Sequence, residues 1–471
     1  MKRLVIYFHY DAQGQVDAPC RYAVQALLPL ADLLFVTNGR LQAADRAWVQ
    51  GTGARLLERK NTGFDVGAYR EALLTLGRQA VAAYDELVLM NFTLAGPVRP
   101  LAPMFAAMQA RPELDFWGLT RHYAMRSRRF GGQVPEHLQS HFLAVRARML
   151  RSDAFWQYWQ QIRLPRSYEE AVICHETRFT ACFASQGYRW DSYVATDDLA
   201  LVFVNPIMAC PRELIAHRGC PFFKRRSFFT PYADELRRTD GQAARILYDY
   251  LKTCTEYPVD DLLRALLRAH PLGALAQNLH WQYLLEDCGA GAAGVDLAAA
   301  GLRLLRFAPV QADAVTAWYL EQSTKYAGAV LPQAAALFAQ EPLLGVLCPA
   351  MPRWPAALQA QDRLWRSVRR DLAGQYTAPV GEDPPPAPLA GWALVREAAF
   401  PSGIPPVSGA GECWRLPLAA QQNGFYTAVF APPVQAGADA DQLTCALRAS
   451  AAPTAVAKQL GRLVKHRLLH R

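Results

Sequence analysis

A carboxylate on the apolar side of a helix carries a charge that is costly there unless it is paired or used. Glu176 reads as such a residue. Tyr168 to Gln186 is expected as a helix, and Val172, Phe179 and Phe183 recur at the spacing of one helical face. Glu176 falls within that stripe, where desolvation should raise its pKa and suit it to general-base chemistry on a hydroxyl. A buried glutamate paired with an arginine is the structural alternative.

A second chemical stretch is Asn61-Thr62-Gly63-Phe64-Asp65-Val66-Gly67-Ala68-Tyr69-Arg70. A short strand ends before it and a helix begins at its close. Gly63 and Gly67 permit a tight turn with close backbone approach, and Asp65 is placed to cap the helix. Free N–H groups at such a helix start suit a nucleotide diphosphate, which makes Asn61, Gly63, Asp65 and Gly67 candidate binding residues.

Further polar residues fall where a sheet would expose them. Asn91 and Thr93 follow a buried strand and are candidate contacts to a donor sugar or phosphate, with a local Asx-type turn as the other reading. Arg121, Arg126, Arg128 and Arg129 form a basic loop that is either solvated or a clamp. His137, Gln139, Ser140 and His141 lead into an alternating run, and the two histidines there could meet a metal or sugar hydroxyls. Lys224, Arg225 and Arg226, flanked by Phe222, Phe223 and Phe228, read as a diphosphate clamp or as a surface loop with inward aromatics. Asp439-Ala440-Asp441 has metal-binding spacing, but it is expected in a Gly/Ala loop far from any strand end.

The elements that must position these residues are legible as alternation. Leu4–Phe8, Leu33–Thr37 and the strand before Asn61 alternate with helices over the first 75 residues, and Glu86–Met90 follows. This is the βαβ pattern of a mostly parallel sheet, whose ligands sit at the carboxyl ends of its strands. The expected organisation is a core over residues 1–235, a helical region over 236–378, an extended Pro-rich linker over 379–390, and a small region over 391–471 ending in a basic amphipathic tail from Lys458 to Arg471.

Composition narrows the class. The chain has 471 residues, 52% of them hydrophobic, which excludes a chain disordered as a whole. A formal net charge of +9 suits an anionic partner such as a nucleotide-sugar or an anionic lipid surface. No basic cluster has the interleaved aromatics of a nucleic-acid module, so no nucleic-acid partner is expected. Met1-Lys2-Arg3 runs straight into a strand, no apolar run is long enough to span a membrane, and the ten cysteines are scattered singly. These features point to the cytoplasm, with contact between the basic tail and the inner face of the cell membrane.

Taken in order, six stretches resemble the rhamnan synthesis protein F family. They are Asn61-x-Gly63-Phe64-Asp65-x-Gly67-Ala68-Tyr69; Asn91 with Gly96-Pro97; Asp115 to Thr120; His137-x-Gln139-Ser140-x-Phe142; Glu176 ahead of Gly187-Tyr188; and Cys220-Pro221-Phe222-x-Lys224-Arg225. The resemblance covers residues 1 to about 230 and nothing after about 290. It implies an α/β nucleotide-sugar glycosyltransferase of the single-Rossmann type with a helical C-terminal extension. The donor would be dTDP-L-rhamnose or a related nucleotide deoxysugar, and the acceptor a lipid-linked glycan of a cell-surface polysaccharide. It implies donor contacts at Asn61, Gly63, Asp65, Gly67, Asn91, Thr93, Lys224 and Arg225. It implies acceptor or sugar contacts at His137, Gln139, Ser140 and His141, and an inverting reaction with Glu176 as base.

One departure bears on cofactors. The family shows Asn-Asp-Ser after the fourth strand, where this chain has Asn91-Phe92-Thr93. The lost carboxylate removes a ligand for Mg2+ or Mn2+, so no residue is assigned to a metal, and Lys224 and Arg225 are expected to neutralise the leaving diphosphate instead. The missing acid also leaves open a rival reading, a non-catalytic sugar- or nucleotide-binding module of a polysaccharide assembly complex.

Overall fold

A computed structural model describes residues 1–130, 132–286, 295–310, 313–325, 327–451, 454, 457 and 460–461. The chain divides into two compact units, Met1–Ala265 and Leu266–Arg471.

The first unit is built on a seven-stranded, mostly parallel sheet, as the alternation predicts. Its strands are β1 (Arg3–His9), β2 (Asp32–Asn38), β3 (Arg55–Arg59), β4 (Glu86–Asn91), β5 (Phe116–Gly118), β6 (Phe142–Arg146) and β7 (Trp190–Ser192). They lie in the order β7-β5-β6-β4-β1-β2-β3. β1 pairs parallel with β2 and β4, β2 with β3, and β7 with β5, while β6 runs antiparallel between β4 and β5. β1 is apolar from Leu4 to Phe8 because both sheet faces are covered. Val5 and Tyr7 face one core with α1 (Ala18–Leu27), and, after α2 (Ala43–Gly51) in the chain, α3 (Phe64–Leu76) covers the other with Leu4, Ile6 and Phe8.

Three sequence expectations about this unit need correction. Asp65 does not cap α3: the cap position is Gly63, at φ 73°, and Asp65 lies in the first turn. His137 and His141 do not share a strand. His137–Leu138 pairs with Arg121–His122, and a turn separates it from β6. The helix carrying Glu176 is not regular either, because Val172–Glu176 is a π-helical turn between α-helical Tyr168–Ala171 and Thr177–Ala184. The wider turn breaks the 3.6-residue face. His175 enters the core against Trp159 and Phe179, Val172 is only partly buried, and Glu176 leaves the apolar stripe.

The second unit contains more strand than the sequence suggested. The region expected to be helical over 236–378 includes β8 (Gln282–Leu284), β9 (Leu302–Arg306) and β10 (Leu344–Pro349). With β11 (Trp392–Arg396) and β12 (Tyr426–Ala431) they form a five-stranded sheet in the order β8-β12-β10-β11-β9. The Pro-rich stretch is no free linker. Trp365 Nε1 donates to the Glu382 carbonyl and Trp414 Nε1 to the Pro385 carbonyl, both at 3.0 Å, and Ala387 and Leu389 are buried. Asp439 and Asp441 lie within the helix Pro433–Ala451, not in a loop. Apart from Leu460 and Gly461, the basic tail from Lys458 to Arg471 lies outside the described residues.

Candidate active site

Every parallel strand β1–β4 ends on a polar or charged residue: His9, Asn38, Arg59 and Asn91. They make the carboxyl edge of the sheet polar and are joined by bonds that run across it. His9 Nδ1 lies 3.1 Å from Thr37 Oγ1, Arg59 bonds Asn38, and Asn38 Nδ2 donates to Asn61 Oδ1 at 3.2 Å. Burial drives His9 down to about pKa 4, so it is neutral. The sequence reading passed over His9, Asn38 and Arg59. Their signal was one polar residue closing each apolar run.

The turn after β3 keeps its shape through internal contacts. A Cβ on Gly67 would meet the Thr62 carbonyl oxygen at 2.4 Å, and Arg59 Nη2 also donates to that oxygen, at 3.0 Å. Gly67 is therefore required by the chain's own turn. Asn61 is exposed, and Asp65 Oδ2 accepts from Asn91 Nδ2 at 3.0 Å. Asn91 Oδ1 in turn accepts from the Thr93 amide at 3.2 Å, so the Asx-type turn and the link to Asp65 coexist on one side chain.

Lys224 arrives beside Thr93 because Phe223–Lys224 pairs antiparallel with Leu94–Ala95. Its Nζ donates to Thr93 Oγ1 at 3.3 Å. Burial lowers its pKa to about 8, against the opposing pull of Glu176 and Asp65. Arg225, one residue on, points away. It forms a buried ion pair with Asp17 and is not available to a ligand. Arg226 takes the place expected of Arg225, with Nη1 at 3.2 Å from the Tyr168 hydroxyl and its guanidinium over that ring.

Glu176 closes the cluster. Its Oε2 accepts from Ser140 Oγ at 2.7 Å and from the Ser140 amide at 3.2 Å, and Oε1 lies 3.6 Å from His137 Nε2. Burial alone would raise its pKa, but the contact with His137, the charge of Lys224 and the Ser140 bonds outweigh it and hold the carboxyl well below the usual range. The direction is opposite to the one desolvation predicts, because the π turn delivers the side chain to hydrogen-bond donors. Asp65 shifts the other way, raised by burial and by the charge of Glu176.

His137 Nδ1 lies 2.7 Å from the Pro135 carbonyl, which only accepts, so this nitrogen carries a proton and Nε2 is the edge turned to Glu176. His122 stacks on His137 with ring centroids 5.0 Å apart. His141 is buried beside Thr120, and burial with the nearby Lys224 charge keeps it neutral. Gln139 is turned inward, accepting from Thr120 Oγ1 and donating toward Asn205, so it is not placed as a sugar contact.

Of the residues singled out in the sequence, Asp65, Asn91, Thr93, His137, Ser140, His141, Glu176 and Lys224 come together. The carboxylates of Asp65 and Glu176 both act electrostatically on the ammonium of Lys224, without a direct ion pair to it. Among the described residues, no group of three or more His, Cys, Asp or Glu side chains could hold a metal.

The family model of rhamnan synthesis protein F matches residues 33–288. The chain belongs to the rhamnan synthesis protein F family. Among curated proteins, this family member is similar to uncharacterized protein y4gN of Sinorhizobium fredii (strain NBRC 101917 / NGR234). The two are 25% identical over 204 residues, 43% of this chain and 51% of that protein, so the chain spans about half the length of the curated relative it matches. Among solved structures, it is similar to glucosyl-3-phosphoglycerate synthase of Mycobacterium tuberculosis in complex with Mn2+, UDP and glucosyl-3-phosphoglycerate. That likeness has 13% identity over 31% of this chain and 57% of that one, with a TM-score of 0.22. A candidate nucleotide-diphospho-sugar transferase of Desulfovibrio desulfuricans G20 is 13% identical over 41% of this chain and 82% of that one, with a TM-score of 0.25. Scores of this size carry no argument about the site of the rhamnan synthesis F chain.

Proposed function

We propose that this member of the rhamnan synthesis F family is an inverting glycosyltransferase, moving a deoxysugar of the L-rhamnose kind from a nucleotide diphosphate to a lipid-linked glycan. The observation that carries this reading is the ionised Glu176, fixed by Ser140 and His137 and coupled to Lys224 and Asp65 beyond the carboxyl edge of a parallel sheet. Ligands of open α/β sheets sit at that edge.

In this reading Glu176 accepts the proton of the acceptor hydroxyl as the oxygen attacks the anomeric carbon and the bond to the diphosphate breaks. A carboxylate held below the usual carboxylate range is ionised at neutral pH. It is also a weak base, so the proton transfers late, once the hydroxyl has been acidified by bond formation. The ammonium of Lys224, steadied by Thr93, meets the charge that develops on the departing diphosphate. Asn61, Asp65 and Asn91 orient the donor, and no step is routed through a metal.

The experiment is a panel of purified nucleotide-sugars, dTDP-L-rhamnose among them, read by thermal stabilisation and by nucleotide release with a lipid-linked acceptor. A ligand at about 100 times its Kd adds ~2.7 kcal/mol of stability. Stabilisation by one donor together with release of its nucleotide supports the reading. Binding without any release leaves a carbohydrate-binding module, and no stabilisation by any donor rejects both.

A further inference from the structure

We infer that the loop Leu201–Val204 and the surface around it dock the protein on an anionic lipid bilayer, at the side of the site where the acceptor enters. Half of the large apolar side chains exposed in the first unit gather here: Leu201, Val202, Val204, Leu236 and Ile246. Leu201 is fully exposed and Val202 is 70% exposed, although adjacent apolar residues in a loop are normally turned inward. Phe203, between Val202 and Val204, is partly buried. It lines a cleft of about 380 Å³ with Pro211, Ala243 and Ile246, and with the acids Glu213 and Asp240.

The loop is held from below, so the exposed tip is a built feature of the fold. The Val202 and Phe203 amides donate to the Leu199 carbonyl, at 2.9 and 2.8 Å, and the Tyr123 amide donates to the Val204 carbonyl at 2.8 Å. The acids that precede the tip are paired. Asp198 takes two bonds from Arg218, at 2.6 and 2.8 Å, and Asp197 takes one at 3.2 Å from Arg121, which Glu136 and Asp191 share.

Two surrounding cations are not tied down in this way. Arg126 and Arg128, just beyond Tyr123 in the chain, are exposed and pair with no carboxylate among the described residues. Apolar side chains at a tip with unpaired arginines behind them match the interface of an anionic bilayer, which takes the first into the acyl boundary and the second at the headgroups. A protein partner of similar charge would not account for the fully exposed aliphatic tip as directly, because such a tip gains most from a hydrocarbon phase.

The surface also connects to the chemistry. Asn205, next to Val204, meets Gln139 Nε2 at 3.4 Å, and Gln139 adjoins Ser140, which holds Glu176. An acceptor anchored in lipid would therefore present its sugar beside the base, and this part of the inference rests on the function proposed above.

The test is flotation with vesicles of phosphatidylcholine alone and with phosphatidylglycerol added, using the full chain, the double variant Leu201→Glu/Val202→Glu, and a chain lacking residues 458–471. Both substituted side chains are exposed, and a thermal melt checks that the variant folds. The wild type should float with the anionic vesicles, less so as salt rises. The double variant should lose about tenfold or more of that binding while keeping its nucleotide-sugar affinity. Wild-type protein that stays at the bottom of the gradient overturns the inference. So does a double variant that floats like wild type, or binding that vanishes only when the tail is removed. A change of oligomeric state in the variant without vesicles would make the patch a protein contact and would also overturn it. Donor turnover with no flotation rejects the docking surface alone, and flotation with no donor binding rejects the proposed function alone.

Discussion

The two ends of β4 both carry buried charge, and they use it differently. At the amino end, Glu86 is 1% exposed. One oxygen accepts from Arg3 Nε at 2.7 Å, the other from Trp117 Nε1 at 2.8 Å, with Arg146 at 3.6 Å. The arginines are spent in turn on main-chain carbonyls, Arg3 on Leu30 and Arg146 on Leu114. At the carboxyl end, Lys224 makes one side-chain bond, and Glu176 reaches His137 only at 3.6 Å and keeps a fifth of its side chain open to solvent. A cluster that is closed to solvent, with both carboxylate oxygens of Glu86 bonded, holds the fold together, although Arg146 Nε finds no hydrogen-bond partner in it. A cluster with unused hydrogen-bonding capacity and an opening to water can exchange partners, as a reaction requires.

The contrast is sharpest in paired substitutions. Glu176→Gln keeps shape and removes the base, and it should lower kcat by ~10²–10⁴-fold with donor affinity and melting temperature near wild type. Wild-type turnover in that variant would move the role elsewhere, with Asp65, whose pKa is raised, as the next carboxylate to replace. Glu86→Gln should do the reverse. It leaves two arginines facing a neutral group in the core and should cost about 3–5 kcal/mol in urea titration, with kcat per folded molecule unchanged. If Glu86→Gln impaired catalysis in fully folded protein, the division between the two ends would fail.

Lys224 offers a finer test. Its folded pKa is lowered to about 8, so the ammonium is present below that pH and lost above it. Donor kcat/KM should fall on the alkaline side with a midpoint near 8. Lys224→Arg should remove that limb, because a guanidinium stays charged to about pH 12 and beyond. Lys224→Met should weaken the donor by about 1.5–3 kcal/mol at pH 7. A limb that survives Lys224→Arg would belong to another group. The smallest effect expected is that of a chelator: rates measured after exhaustive EDTA should match those before it, and activity restored only by Mn2+ or Mg2+ would reveal ligands outside this cluster.

How far the sequence could be read follows local regularity. β1 to β4 were legible because each is a short apolar run bounded by turn residues, and the Asn61–Arg70 turn because its glycines and polar residues have few other uses. Glu176 was singled out for a reason the structure reverses. A 3.6-residue face put it in an apolar stripe, but the π turn moves it to donors, and nothing in Val172-Ile173-Cys174-His175-Glu176 announces an i+5 turn. Choosing Arg225 over Arg226 needed the phase of a four-residue 3-10 turn, Arg225–Phe228, which a basic triplet does not reveal. The second sheet was missed because Leu344–Pro349 is buried along its whole length, and a short apolar run reads the same in a buried helix and a buried strand.

The Pro-rich stretch of the second unit has a consequence of its own. A run such as Asp383-Pro384-Pro385-Pro386 has lost most of its amide donors and keeps only carbonyls to offer. Trp365 and Trp414, 5.2 Å apart, answer with indole N–H groups and flat faces. Recognition domains read polyproline ligands in trans in the same way. Here the ligand is covalently attached, so its effective concentration is set by the chain and no free peptide would displace it readily. Trp414→Phe, which keeps the face and drops the donor, would turn this self-recognised segment into an exposed, protease-sensitive strand end.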